Sequence, residues 1–189
     1  MKKLFSALLA LLLVCGIVSA LPAAEAADPR IEEALEWAVE IAEDDTHGYS
    51  RRNRTGPNYD CSSFVSFALM AGGFDLEGPY GTSNIRPALE KLGFTVYRRS
   101  EVASLCRGDI LLRPGTHVEL YLGNGCCVAA HQDYDYRSGD SKGKEIQVRD
   151  QQDCPFCRKK QYTYVIRLVL PRGGAEASAD DFTALPQTD

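Results

Sequence analysis

The chain is short of basic charge, of histidine and of long apolar runs, and each shortage narrows what it can be. Lysine and arginine total 21 against 26 aspartate and glutamate, a net charge of −5 that argues against a nucleic-acid binder, which would carry a basic surface. Proline and glycine, at 9 and 16 of 189 residues, show no excess, which excludes collagen-like and low-complexity chains. Only one apolar run is long, Leu4 to Leu21, so a multi-span membrane protein is excluded as well. No internal repeat is visible. With 44% hydrophobic and 25% charged residues, the length suits one ordinary globular domain. Cysteine is the exception: 7 are too few to build a disulfide miniprotein and too many to be incidental.

The apolar run reads as an export leader. Met1-Lys2-Lys3 supplies a positive start, Leu4 to Val18 is almost wholly apolar, and Ser19-Ala20 and Ala24-Glu25-Ala26 offer small residues for cleavage near Ala20 or Ala26-Ala27. Residues 1–27 are therefore expected to be a signal peptide and residues 28–170 the folded domain. Residues 171–189, with almost no core-forming side chain, are expected to be a disordered tail. The mature protein is expected to be secreted or held in the cell envelope, as a monomer with no stable membrane insertion after cleavage.

Within the domain the hydrophobic period changes once. Asp28-Pro29 opens a helix, and Ile31, Ala34, Leu35, Ala38, Val39 and Ala42 recur at helical spacing up to about Asp44. A polar loop over Thr46 to Tyr59 leads to a second helix, Cys61 to Ala71, stopped by Gly72-Gly73; a third lies between Ser83 and Leu92. Alternation then takes over. Strands are predicted over Thr95–Tyr97, Asp109–Leu112, His117–Leu122, Cys126–Ala130, Glu145–Val148 and Tyr162–Val169. Helices first and sheet second is an α+β order, an antiparallel meander packed on the N-terminal helices.

Cys61 stands where loop becomes helix, so unpaired N–H groups and the positive end of the helix dipole favour its thiolate. A thiolate nucleophile needs a base, and the chain has only His47, His117 and His131 to offer. In His117-Val118-Glu119-Leu120-Tyr121-Leu122 the period of two sends the apolar side chains to the core and turns His117 the other way, toward a cleft. A hairpin at Gly123-Asn124-Gly125 returns His131 toward His117, where it would orient the imidazole as the third member.

Three motifs in order, Asp60-Cys61-Ser62-Ser63-Phe64-Val65, Arg107-Gly108-Asp109-Ile110-Leu111-Leu112 and His117 to Gly125, resemble those of the NlpC-type papain-like cysteine peptidases. The resemblance runs from about Ile31 to Leu168. It implies a papain-like α+β fold and a secreted enzyme that hydrolyses peptide or amide bonds in peptidoglycan stem peptides. It also implies that Tyr49 assists the oxyanion site and that Asp60 and Ser62 contact substrate. The family's third polar residue usually falls about where this chain has Ala129, and His131 lies two positions further on. Ala130-His131-Gln132-Asp133, with Gly139 to Ile146, resembles instead a branch of secreted and phage-associated amidohydrolases in which the cut bond varies.

The chemistry expected is acyl transfer through a Cys61 thioester with His117 as base, using no metal and no organic cofactor. Asp60 and Glu119 are candidates to bind the free amine of a stem peptide, and His47 to line the cleft. Read structurally instead, Asp60 is a helix cap, Glu119 a solvated strand residue and His47 a loop anchor. Arg51-Arg52-Asn53-Arg54 reads as a solvated basic loop. Cys106, Cys126, Cys127, Cys154 and Cys157 are expected to be structural disulfides or reduced thiols. Cys154-Pro155-Phe156-Cys157 leaves open a zinc or redox protein built with Cys126 and Cys127. A catalytically silent wall-binding domain of the same fold is the other alternative.

Overall fold

The computed structural model describes residues 28–140, 144–150 and 153–169. The leader expected over residues 1–27 and the tail expected over residues 171–189 lie outside the described residues. Among the described residues, no helix is long and apolar enough to cross a membrane.

Helix α1, Pro29–Glu43, begins where the sequence predicts: Asp28 accepts a hydrogen bond from the Arg30 N–H at 2.9 Å and also pairs with its guanidinium. Ile31, Ala34, Leu35 and Ala38 form its buried face. Helix α2, Cys61–Ala71, is closed by a reciprocal cap in which Asp60 accepts from the Ser63 N–H at 2.7 Å and the Ser63 hydroxyl accepts from the Asp60 N–H at 3.0 Å. The third helix is shorter than predicted. Helix α3 spans Ile85–Lys91, because Asn84 accepts from the Gly81 N–H at 2.7 Å and holds residues 81–84 in a turn.

Six strands form one antiparallel sheet: β1 Phe94–Arg98, β2 Ile110–Arg113, β3 His117–Gly123, β4 Cys126–Ala130, β5 Ile146–Arg149 and β6 Tyr164–Leu168. The spatial order is β1-β6-β2-β3-β4-β5, so the predicted meander holds only from β2 to β5. The last strand inserts between β1 and β2. Ile166 pairs with both Val96 and Ile110. Strand β5 begins one residue later than predicted because Glu145 is drawn into side-chain bonds, and β6 begins at Tyr164 because Tyr162 turns down into a core.

Both sheet faces are covered. Ile110, Leu112, Val118, Leu120, Val128 and Ile166 pack toward Phe64, Val65, Leu69 and the other helical residues. Leu111, Cys127 and Val165, on the opposite face, meet Cys154, Phe156, Cys157 and Tyr162 in a second, smaller core. That cover comes from a segment the sequence did not show as structured, which includes a one-turn helix α4, Pro155–Arg158, with Cys154 at its N-cap.

Candidate active site

The capping of α2 dictates where Cys61 stands. One Asp60 oxygen, Oδ1, accepts from the Ser62 and Ser63 N–H groups and from the Ser62 hydroxyl. The other, Oδ2, pairs with Arg54 Nε at 2.7 Å. The Arg54 Nη2 group also donates to Ser62 Oγ at 3.1 Å and to the Tyr80 carbonyl at 2.8 Å. Arg54, read from sequence as part of a solvated basic loop, is thus the clasp that fixes the start of α2. A cleft of about 410 Å³ opens beside Cys61 and is lined by Tyr49, Asp60, Ser62, Asn84 and Thr116 among others.

His117 begins β3, and its imidazole stands within electrostatic reach of the Cys61 side chain. On its other side His117 Nε2 lies 3.0 Å from Glu119 Oε1. Burial disfavours the charged imidazole, but its interactions with Cys61 and Glu119 outweigh it and hold His117 up at about 9. Burial likewise works against the Glu119 carboxylate, and the hydrogen bond and charge of His117 bring it below the usual range. A cysteine, an imidazole and a carboxylate therefore stand in line. Thr116 borders both the Cys61 cleft and a second hollow of about 260 Å³ that contains His117, His131, Arg113 and Arg149.

Two placements differ from the sequence reading. Glu119 is only 1% exposed, and its carboxylate lies against His117 and the Cys154 thiol rather than open to a substrate amine. His131 does not hydrogen-bond to His117. Their ring centres are 5.7 Å apart, and His131 Nδ1 comes no nearer than 3.8 Å to the Glu119 oxygen that His117 already holds. Burial and the neighbouring Arg149 push the His131 imidazole down to about 3, which keeps it neutral. The physical reason is one of reach: residues 117 and 119 share a face of one strand, whereas His131 arrives just past the end of the next.

Tyr49 reaches the Cys61 cleft because two loops are buttoned together around it. Its backbone bridges to Tyr59, two residues before the nucleophile, and its N–H donates to Glu145 Oε2 at 2.7 Å. Asn58 Oδ1 accepts from both the Gly48 and Gly139 N–H groups, and Asn58 Nδ2 donates to Ser138. Burial and then the charges of Cys61 and Asp60 push the Tyr49 phenol up to about 12, so it remains a hydroxyl donor at neutral pH. His47 serves this loop rather than the cleft: its Nδ1 contacts the Pro57 carbonyl at 2.6 Å, and it is not among the residues that line the Cys61 cleft.

Of the residues singled out from sequence, Cys61, His117, Tyr49, Asp60 and Ser62 are brought together, Glu119 lies behind them with His131 beside it but not bonded to His117, and His47 stands apart. Arg54, Asn58, Glu145 and Phe156 were missed. Only Arg54 and Glu145 left a trace in sequence, as charges six residues before Asp60 and one before a strand. Phe156 packs edge-on against the His117 ring at 5.0 Å between centres.

A buried cysteine at the head of a helix, with a histidine on the first residue of a sheet strand beside it, is the arrangement of a thiol nucleophile and its base. The family model described as bacteriophage peptidoglycan hydrolase, Amidase_5, matches residues 30–141, and the chain belongs to that family. No curated protein matches it. Among solved structures, it is similar to NlpC1 from Trichomonas vaginalis at 18% identity and a TM-score of 0.45, over 76% of this chain and 45% of that one. The peptidoglycan hydrolase RipB from Mycobacterium tuberculosis is similar at 22% identity and a TM-score of 0.45, over 75% of this chain and 68% of that one. A P60 domain from M. avium subspecies paratuberculosis gives 19% identity and a TM-score of 0.39, over 64% and 85%. The chain spans less than half the length of the NlpC1 chain.

Proposed function

We propose that this protein is an exported cysteine peptidase or amidase that cuts peptide or amide bonds in peptidoglycan stem peptides. The observation that carries the reading is the line Cys61–His117–Glu119 beside a cleft, with the thiol acting on the imidazole from one side and Glu119 hydrogen-bonded to it at 3.0 Å on the other. With Nε2 committed to Glu119, His117 has Nδ1 left for the thiol. His117 takes the Cys61 proton and the thiolate attacks the carbonyl carbon. The Cys61 backbone N–H and the Tyr49 hydroxyl donate to the oxyanion. Collapse expels the amine, which leaves with the proton held by His117, and a thioester remains. Water, deprotonated by His117, then releases the acid and restores Cys61.

In this mechanism Glu119, in the position the sequence reading gave to His131, fixes the imidazole and balances its positive charge. Asp60 and Ser62 border the cleft with their polar atoms engaged by Arg54, so they position Cys61 and present a shaped wall to the stem peptide. The leader over residues 1–27 would deliver the protein, as a monomer, to the compartment where its substrate lies. Digestion of purified peptidoglycan, with new termini identified by mass spectrometry, tests the reading and names the bond. Cys61→Ala and His117→Ala should each abolish new termini; undiminished product from either would exclude the dyad. Wall binding without product from the unaltered protein would favour a silent binding domain instead.

A further inference from the structure

Behind His117, on the side away from Cys61, three sulfurs and a carboxylate converge. Glu119 on β3, Cys127 on β4, and Cys154 and Cys157 at α4 are all buried, and one ligand atom from each lies within 4.8 Å of the others. Cys154 Sγ is 3.1 Å and Cys157 Sγ 3.5 Å from Glu119 Oε2, and the Cys157 N–H points at Cys154 Sγ at 3.5 Å. We propose that this cluster is a divalent-metal site, with three thiolates and one carboxylate as ligands and zinc as the metal whose chemistry fits best.

Ligand type and number support the choice, since zinc takes four sulfur, nitrogen or oxygen ligands and a C-x-x-C turn supplies two of them from one short segment. Cys127 and Cys157 are joined as a disulfide, the competing use of the same sulfurs, yet their Cα atoms are 7.6 Å apart. That exceeds the roughly 4.4–6.8 Å that a disulfide usually spans. An oxidised Cys157 would also have no S–H to give the buried Glu119 oxygen beside it, whereas a dication would satisfy the carboxylate and the sulfurs together. Cys126 does not join the cluster: it neighbours Cys127 on a strand and so points to the other face. Binding sends the three thiol protons to solvent and requires no change of oxidation state in the reduced protein.

Glu119 would be shared, with one oxygen on the metal side and the other on His117. The metal would then be a positioning element for the imidazole, a consequence that rests on the hydrolase reading, whereas metal binding itself does not. The test is made on the purified protein kept under a thiol reductant, with zinc measured by elemental analysis and cobalt(II) substituted for it. We expect one metal per chain and, with cobalt, the thiolate charge-transfer band and intense visible bands of a tetrahedral site. Cys154→Ser and Cys157→Ser should lose them, and Cys106→Ser and Cys126→Ser should keep them. If the first pair fails to fold, the cobalt spectrum of the unaltered protein decides alone. A reduced, folded protein that takes up neither zinc nor cobalt would overturn the site. So would a metal-free protein in which peptide mapping finds Cys127 bonded to Cys157. Metal bound without any hydrolysis would leave the site standing and remove the hydrolase reading; metal removed without loss of turnover would remove only its link to His117.

Discussion

Glu119 follows His117 by two positions and therefore leaves β3 on the same face, which sets its carboxylate against the imidazole with no help from any other element. His131 has to cross to the next strand and stops short. The two are separable by kinetics. Glu119→Gln should keep the shape but lose the charge, and by analogy with loss of the carboxylate from a hydrolase triad its turnover should fall by ~10²–10⁴-fold with KM little changed. His131→Ala should lower turnover far less; the reverse ranking would return the orienting role to His131. Cys61 and His117 were legible in the sequence because their signals are local, a helix start and an alternating strand. Glu119 was not, because the same alternation equally describes a solvated residue, and what buries it is Cys154, 35 positions away.

The loop of residues 45–60 acts as one element with residues 133–140 and 144–145, although they are far apart in sequence. Glu145 is the pivot: it is 2% exposed, accepts from the Tyr49 and Tyr134 N–H groups at 2.7 Å each, and is itself bound through its N–H to Asp140. Gly48 sits inside this clamp. A Cβ there would run into the Gly139 carbonyl and come within 2.9 Å of Glu145 Oε2. Gly48→Ala should therefore destabilise the protein by about 1–3 kcal/mol, as overpacking does, and should also weaken turnover by displacing Tyr49. Urea unfolding and steady-state kinetics on the same sample check both; an unaltered midpoint would mean the clamp is loose. Asp109, from the second sequence motif, is a structural counterpart. It is fully buried, accepts from the Cys106 N–H, and holds Arg167 of β6 through two bonds at 2.6 and 2.8 Å. Asp109→Asn should cost about 1–3 kcal/mol in the same unfolding assay, for a buried donor left poorly matched, without altering the pH profile of turnover. Helices α1 and α2 and the core of each strand were readable because caps and hydrophobic periods are short-range. The pairing of Asn58 with Gly139 and the insertion of β6 beside β2 were not, since both are long-range contacts that leave no period.

At the scale of the whole molecule, the sheet is a partition with a helical core on one side and the return of the chain on the other. The sequence reading anticipated the first side and gave no cover to the second, because Cys154-Pro155-Phe156-Cys157 is too short to show a period. Yet that segment buries Phe156 and Tyr162 against Leu111 and Val165, and sets the Phe156 ring at 89° to the His117 imidazole. Stability and catalysis should therefore fail together there. Phe156→Ala should lower stability by about 3 kcal/mol, the usual cost of emptying an aromatic core position, and should reduce turnover by freeing the imidazole to rotate. Phe156→Leu, which keeps most of the volume but no ring, should recover most of the stability and less of the turnover. Amide exchange at Val165 and Leu111, measured beside the kinetics, separates the two effects. If Phe156→Ala exchanged no faster at those positions and digested peptidoglycan normally, the return segment would be a bystander and the catalytic histidine would be held from the helical side alone.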